Sequence, residues 1–192
     1  MDSNCYILGC EETKEGIVVD PGAEGQRILK KVEELGLKIN KIVLTHGHID
    51  HIGALAEVRE ATGAKVLIHA DDAAQLTDSS QNLSAFVGQK LSVKAADQLL
   101  ADNDKIECGK ITLEVIHTPG HTRGGISLRC EPDILITGDT LFAGSVGRSD
   151  FPGGSHNVLI SSIKNKLLKY PPETKVYPGH GPSSTIEDEM TG

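Results

Sequence analysis

The histidines and aspartates of this chain stand where they could hold metal ions. The densest stretch is Lys41-Ile-Val-Leu-Thr-His46-Gly-His48-Ile-Asp50-His51, with three imidazoles and a carboxylate within six residues. Such a set suits zinc, iron or manganese. A polar loop that merely carries three histidines is the plainer account, but it leaves several unscreened imidazoles side by side. Three later segments repeat one design, a β-branched run followed by a tight turn with one ligand-type residue. Leu113–Ile116 leads to Thr118-Pro119-Gly120-His121, Ile134–Thr137 to Gly138-Asp139, and Lys175–Tyr177 to Pro178-Gly179-His180. The candidates are therefore five histidines (His46, His48, His51, His121, His180) and two aspartates (Asp50, Asp139). A tetrahedral metal closes at about four ligands. Two metals sharing a carboxylate and a water fit seven candidates better.

The elements that must carry these residues are legible from patterning. Extended backbone puts residues i and i+2 on one side, so a run ending at His46 lets His46 and His48 point together. Asp50 and His51 fall where a helix starts, and the free N–H groups there favour an anion. Cys5–Leu8 and Gly16–Val19 read as a hairpin joined through Glu11–Glu15. Ile28, Leu29, Val32 and Leu35 recur at helical spacing before Gly36, and Ile52–Ala61 reads as one helix ending at Gly63. Residues 71–104 are polar and read as helix fragments and loop, after which strands follow over Lys105–Cys108, Ile111–Ile116, Gly125–Arg129 and Ile134–Thr137. Leu159, Ile163 and Leu167 mark one face of a helix that stops before Pro171, and Val176-Tyr177 closes the series as a last strand. Ligand sites gather at the carboxyl ends of strands in open α/β folds, so four such ends can converge on one point.

Composition narrows the function. The 192 residues, with 38% hydrophobic and 24% charged, fit one globular α/β domain over 1–192. The formal charge of −8 and the scarcity of aromatics (3%, no Trp) argue against nucleic acid as a partner. No apolar run reaches the length of a membrane helix, and the first residues lack the pattern of a signal peptide. Cys5, Cys10, Cys108 and Cys130 form no C-x-x-C pair, which fits reduced thiols and a cytoplasmic protein. The pattern leaves the oligomeric state open.

His-x-His-x-Asp-His followed by Thr-Pro-Gly-His, Gly-Asp-Thr-Leu-Phe and Tyr-Pro-Gly-His-Gly resembles the metallo-β-lactamase superfamily. Gly138–Gly154 is similar to the short hydroxyacylglutathione hydrolase-like (glyoxalase II-like) members. The resemblance implies an αββα four-layer sandwich that lacks the family's usual first strand. It implies one metal held by His46, His48 and His121, a second by Asp50, His51 and His180, and Asp139 bridging the pair. The cofactors implied are two divalent ions, zinc first, with iron or manganese as alternatives. The activity implied is hydrolysis of a small-molecule thioester or related ester by a metal-bridging hydroxide, with Asp50 and Asp139 as the catalytic carboxylates. The chain stops about twelve residues after His180, which implies that the C-terminal helical domain that grips glutathione is missing. Where relatives often carry proline, Arg123 adds a charge beside His121.

Other residues take two readings each. Asp20, before Pro21-Gly22, either orients a ligand imidazole or serves the turn. Arg148 either forks onto a substrate carboxylate or forms a surface salt bridge. Arg123 and Phe151 are further candidates for contact with substrate. His69, His117 and His156 read as structural or exposed, and Tyr177 as core. The stretch Gly147-Arg148-Ser149-Asp150-Phe151 also resembles persulfide dioxygenases, which hold one iron with two histidines and an aspartate. A lactonase or β-lactamase-type hydrolase is a further alternative, although a bridging aspartate argues against most zinc β-lactamases.

Overall fold

The computed structural model describes residues 3–191. Its first sheet has the order β1 (Tyr6–Gly9), β2 (Glu15–Val19), β3 (Lys38–Val43), β4 (Lys65–His69) and β5 (Gln98–Leu100). The β1–β2 hairpin is antiparallel and the other pairings are parallel. The second sheet runs β13 (Ser184–Thr185), β12 (Lys175–Pro178), β9 (Ile134–Gly138), β8 (Ile126–Cys130), β7 (Ile111–His117) and β6 (Lys105–Cys108). Only β9 and β12 pair in parallel there. A short hairpin, β10 (Leu141–Phe142) and β11 (Ser145–Val146), follows β9.

Strand alternation builds the layers. Val18, Ile42, Val66 and Ile68 face outward onto Ile28 and Val32 of α1 (Gly25–Leu35). After α2 (Ile49–Ile52), helix α3 (Leu55–Thr62) adds Leu55 and Val58 to the same layer. Their neighbours Ile17, Val19, Val43 and Leu67 face the other way and pack on Leu113, Val115, Leu128 and Ile136 of the second sheet. On the far side of that sheet, Ile116, Leu135 and Val176 meet Leu159 of α4 (His156–Ser162). Ile163 and Leu167 of the π-helical turn that continues α4 join them, with Ile186 of α5 (Ile186–Met190). The result is helix, sheet, sheet, helix. Side chains of period two in strands and about 3.6 in helices can close an apolar core only by such stacking.

Three local expectations need correction. The expected helix Ile52–Ala61 is broken, because the Ala54 N–H turns to the Pro21 carbonyl (2.9 Å) and divides α2 from α3. Within the polar stretch, Gln98–Leu100 forms an edge strand on β4, with only Leu100 buried, so no alternation was available to mark it. Val176-Tyr177 is not the last strand: β13 and α5 follow, the latter started by a Thr185–Asp188 capping box. The four cysteines are free thiols. Among the described residues no helix is long and apolar enough to cross a membrane.

Candidate metal centre

Four strand ends deliver the ligand-type residues to one place. His46 follows β3, His121 follows β7, Asp139 follows β9 and His180 follows β12. His48 caps the one-turn helix α2, which carries Asp50 and His51. The ligand atoms of His46, His48 and His121 lie within 4.8 Å of one another, and so do those of Asp50, His51, Asp139 and His180. Asp139 connects the two groups: Oδ1 is 3.1 Å from His51 Nε2, and Oδ2 is 3.7, 3.5 and 3.5 Å from the Nε2 atoms of His46, His121 and His180.

Hydrogen bonds on the outer side of the rings decide which nitrogen faces inward. Asp20 Oδ2 accepts from His51 Nδ1 at 2.9 Å, and the Arg148 carbonyl accepts from His121 Nδ1 at 2.7 Å. Thr45 Oγ1 donates to Asp20 (2.6 Å) and so is left to accept from His46 Nδ1 (3.2 Å). These partners place the ring proton on Nδ1 and leave the Nε2 lone pairs of His46, His51 and His121 pointing together. His48 turns its Nδ1 toward His121 Nε2, 3.1 Å away. Nε2 of His46 and His51 and Oδ1 of Asp139 are buried without a hydrogen-bond partner. Unpaired buried polar atoms cost about 1–3 kcal/mol each, and two adjacent divalent cations are the partners whose charge and ligand preference suit this set. The residues fit the metals that the motifs imply.

The electrostatics agree. Burial, reinforced by neighbouring imidazoles, holds His46 well below its usual pKa and pushes His48 down to about 3. His51 departs upward: burial opposes its charge, but Asp20 and Asp139 on either side outweigh that. Burial would raise both carboxylates, yet contacts with His180 and His51 hold Asp139 well below the carboxylate range and lower Asp50. The centre thus keeps His46 and His48 neutral and Asp50 and Asp139 ionised, as metal ligands must be, while His51 would release a proton when a cation binds.

The backbone around it is tight. A Cβ on Gly179 would sit 2.3 Å from Asp139 Oδ1 and 2.8 Å from His51 Cε1. Gly120 has φ +138°, and a Cβ there would strike the backbone of Leu159, so only glycine lets the His121 loop approach α4.

A cavity of about 300 Å³ opens over the centre. His48, Asp50, His121, Asp139 and His180 form its floor, while Leu83, Phe86, Val87, Phe142, Arg148 and Phe151 form its walls. Phe151 and Arg148 thus stand where contact with substrate was expected. The Arg148 guanidinium, however, is forked onto Asp150 (3.0 and 2.8 Å) and stacked over Phe151. Arg123 does not line the cavity. Its side chain runs beside Gly153, and its carbonyl accepts from His117 Nε2. Asp20 is buried against His51 and Thr45, at φ 54°. His69 stacks on His117, and Tyr177 packs edge-on against Tyr6 in the inter-sheet core.

Several positioning residues escaped the sequence reading. Gln75 Oε1 accepts the Gly47 N–H (2.6 Å) between two ligand histidines. Buried Asp72 accepts from Thr122 Oγ1 and the Gly124 N–H, fastening the loop that carries His121. Neither has a local signal, since each acts on a residue at least 28 positions away. Leu83, Phe86 and Val87 form an apolar island in a polar stretch, which was the one available sign.

Comparison with known proteins places the chain in a family. The chain is 39% identical over 192 residues to the probable metallo-hydrolase YqgX of Bacillus subtilis, covering 99% of this chain and 90% of the relative. It is 35% identical to the hydroxyacylglutathione hydrolase GloC of Haemophilus influenzae, over 97% and 89%. Among solved structures, the B3 metallo-beta-lactamase BLEG-1 superposes with TM-score 0.94 at 37% identity, over 99% and 92%. TTHA1623 in a di-iron-bound form gives 0.86 at 34%, over 98% and 92%. ETHE1 from Myxococcus xanthus gives 0.80 at 32%, over 96% and 75%. With the family model matched over residues 1–180 on top of these likenesses, the chain belongs to the metallo-beta-lactamase superfamily.

Proposed function

We propose that this protein is a binuclear metal-dependent hydrolase that cleaves a thioester or a related ester. One observation carries the reading: Asp139 stands between two complete ligand groups, with its oxygens facing imidazoles of both. The likeness to GloC supports thioester chemistry, and the di-iron form of TTHA1623 supports two metals and keeps iron beside zinc as the native ion.

In this reading His46, His48 and His121 would hold one cation, Asp50, His51 and His180 would hold the other, and Asp139, which faces both groups, would serve the pair. When bound, the pair supplies a water that is deprotonated near neutral pH and polarises the acyl carbonyl. Asp139 offsets the repulsion between the two positive charges. Asp50, on the cavity floor, would accept a hydrogen bond from the attacking water and orient it. Water adds to the carbonyl carbon, the C–S bond breaks, and a carboxylate and a thiol are released. A thiol of pKa about 8.5 leaves as the thiolate without a strong general acid. Asp20, Thr45 and the Arg148 carbonyl hold the rings in the tautomer that this needs.

A mononuclear iron dioxygenase acting on a persulfide is the second reading. Its support is the Gly147–Phe151 stretch, from which Arg148 and Phe151 reach the cavity.

Elemental analysis of the purified protein, run beside thiol release from S-lactoylglutathione and simpler thioesters, tests the proposal. Two metals per chain and hydrolysis are expected, with His48→Ala and Asp139→Ala each losing at least about 100-fold in kcat/KM. Wild type and both variants equally active would remove these residues from the mechanism. One iron per chain with oxygen uptake on glutathione persulfide would establish the second reading instead.

A further inference from the structure

The chain has three phenylalanines, Phe86, Phe142 and Phe151. All three line the cavity above the metal centre, and none belongs to the hydrophobic core. Phenylalanine is ordinarily a core residue, so this placement leaves unspent the apolar area that the fold could have used. Phe86 is 70% exposed and its neighbour Val87 51%. Leu83, which completes that wall, holds φ +71°, a conformation branched side chains rarely adopt.

The wall is nevertheless built. The carbonyl of Asn82 accepts the Ile49 N–H (2.7 Å), which ties the segment to the His48–Asp50 motif. The buried Asn82 side chain bonds the Gln75 and Leu91 carbonyls and the Ser84 N–H. The base is thus fixed on the metal motif while the apolar tip stands over the cavity.

Charge points the same way. Among the described residues of the cavity walls Arg148 is the one cation, and Asp150 already occupies its fork while Phe151 covers a face. A glutathionyl group would bring two carboxylates and one ammonium, and the described side chains of the cavity walls offer the carboxylates no cation besides this paired arginine. The volume of about 300 Å³ is at the small end of ligand pockets.

We propose that the substrate is a small thioester with an uncharged apolar acyl group on an uncharged thiol. Its acyl group is gripped between Phe86–Val87 and the rings of Phe142 and Phe151, and glutathionyl thioesters are poor substrates. This rests on the hydrolase reading above and narrows it. Phe86 is the specificity-determining residue.

The test uses the metal-loaded full chain and thiol release from acetyl, butanoyl and hexanoyl thioesters of N-acetylcysteamine, beside S-lactoylglutathione. Each methylene that becomes buried is worth about fourfold, so kcat/KM should rise at least about tenfold from acetyl to hexanoyl. The hexanoyl thioester should also exceed S-lactoylglutathione. Phe86→Ala should flatten the chain-length dependence and Phe86→Leu should restore most of it, with melting temperatures unchanged because the side chain lies outside the core. A flat series with S-lactoylglutathione preferred overturns the inference and leaves the hydrolase reading standing. An unaltered slope in Phe86→Ala also overturns it. If the two-metal protein releases thiol from none of the four, the hydrolase reading itself fails, and this inference with it.

Discussion

Asp20→Asn exchanges one buried carboxylate oxygen for an amide nitrogen and leaves the side-chain shape almost unchanged. The backbone at φ 54° tolerates asparagine well, which alanine or valine would not match. In the native protein Asp20 Oδ1 accepts the Thr45 N–H (2.8 Å), and Oδ2 accepts both Thr45 Oγ1 and His51 Nδ1. An asparagine keeps the first bond, and Thr45 can reverse its hydroxyl. His51 cannot keep its proton on Nδ1 against an amide N–H, so the proton moves to Nε2, the atom that must face a metal. Restoring the metal-competent tautomer then buries a donor against a donor. That costs about 1–3 kcal/mol, or roughly 5- to 150-fold in affinity. Losses of about 10- to 100-fold are usual for partners that orient a ligand. Flipping the amide does not escape the penalty, because its N–H₂ would then face the Thr45 N–H. Chelator competition should therefore show the site of Asp50, His51 and His180 weakened by at least about tenfold, with the site of His46, His48 and His121 weakened less. Urea unfolding in chelator should show a loss of no more than about 1–2 kcal/mol. Two metals held within twofold of wild type would refute the tautomer argument.

Other perturbations test neighbouring parts of the centre. Gly179→Ala drives a methyl into Asp139 and His51, so metal content should fall below one per chain at a stability cost of about 1–3 kcal/mol; retention of two metals would contradict the packing. Asp72, pushed up to about 6 chiefly by burial although Thr122 and Gly124 bond its carboxylate, holds its proton in the folded protein at pH values where the unfolded chain has lost it. Stability relative to Asp72→Asn should therefore fall as pH rises from about 4 to 6, by about 3 kcal/mol at most, and parallel urea curves across that range would be the opposing result. Stripping metal with a chelator should lower the melting temperature reversibly, since each site at 100 times its Kd contributes about 2.7 kcal/mol. An unchanged melting temperature would mean that the unpaired atoms of His46, His51 and Asp139 do not bind cations.

The parts that were legible share a short range. The β1–β2 hairpin, the apolar face of α1 and the strand ends that carry His46, His121, Asp139 and His180 all follow from periods of two or 3.6 and from turn residues a few positions apart. The parts that were not legible lack such a period. Gln98–Leu100 is held by backbone pairing at a sheet edge, and α2 is parted from α3 by a carbonyl at Pro21, far upstream. Arg123 stood beside a ligand in the chain, yet its side chain turns to Gly153, away from the cavity.

The candidate ligands were legible in the chain, because a histidine or aspartate carries its donor atoms wherever it lies and strand-end spacing is local. Which nitrogen each imidazole offers was settled only by folding, since Asp20, Thr45 and the Arg148 carbonyl reach their rings across the sheets. The division into two groups around Asp139, which the family resemblance implied, is built by both sheets, one supplying β3 and the other β7, β9 and β12. The character of the cavity depended on the fold most of all. In sequence only Phe151 stood as a candidate for contact with substrate, and only the packed structure turns Phe86 and Phe142 toward the same cavity. Chemistry that resides in side-chain type is written locally, whereas selectivity comes from which distant surfaces meet.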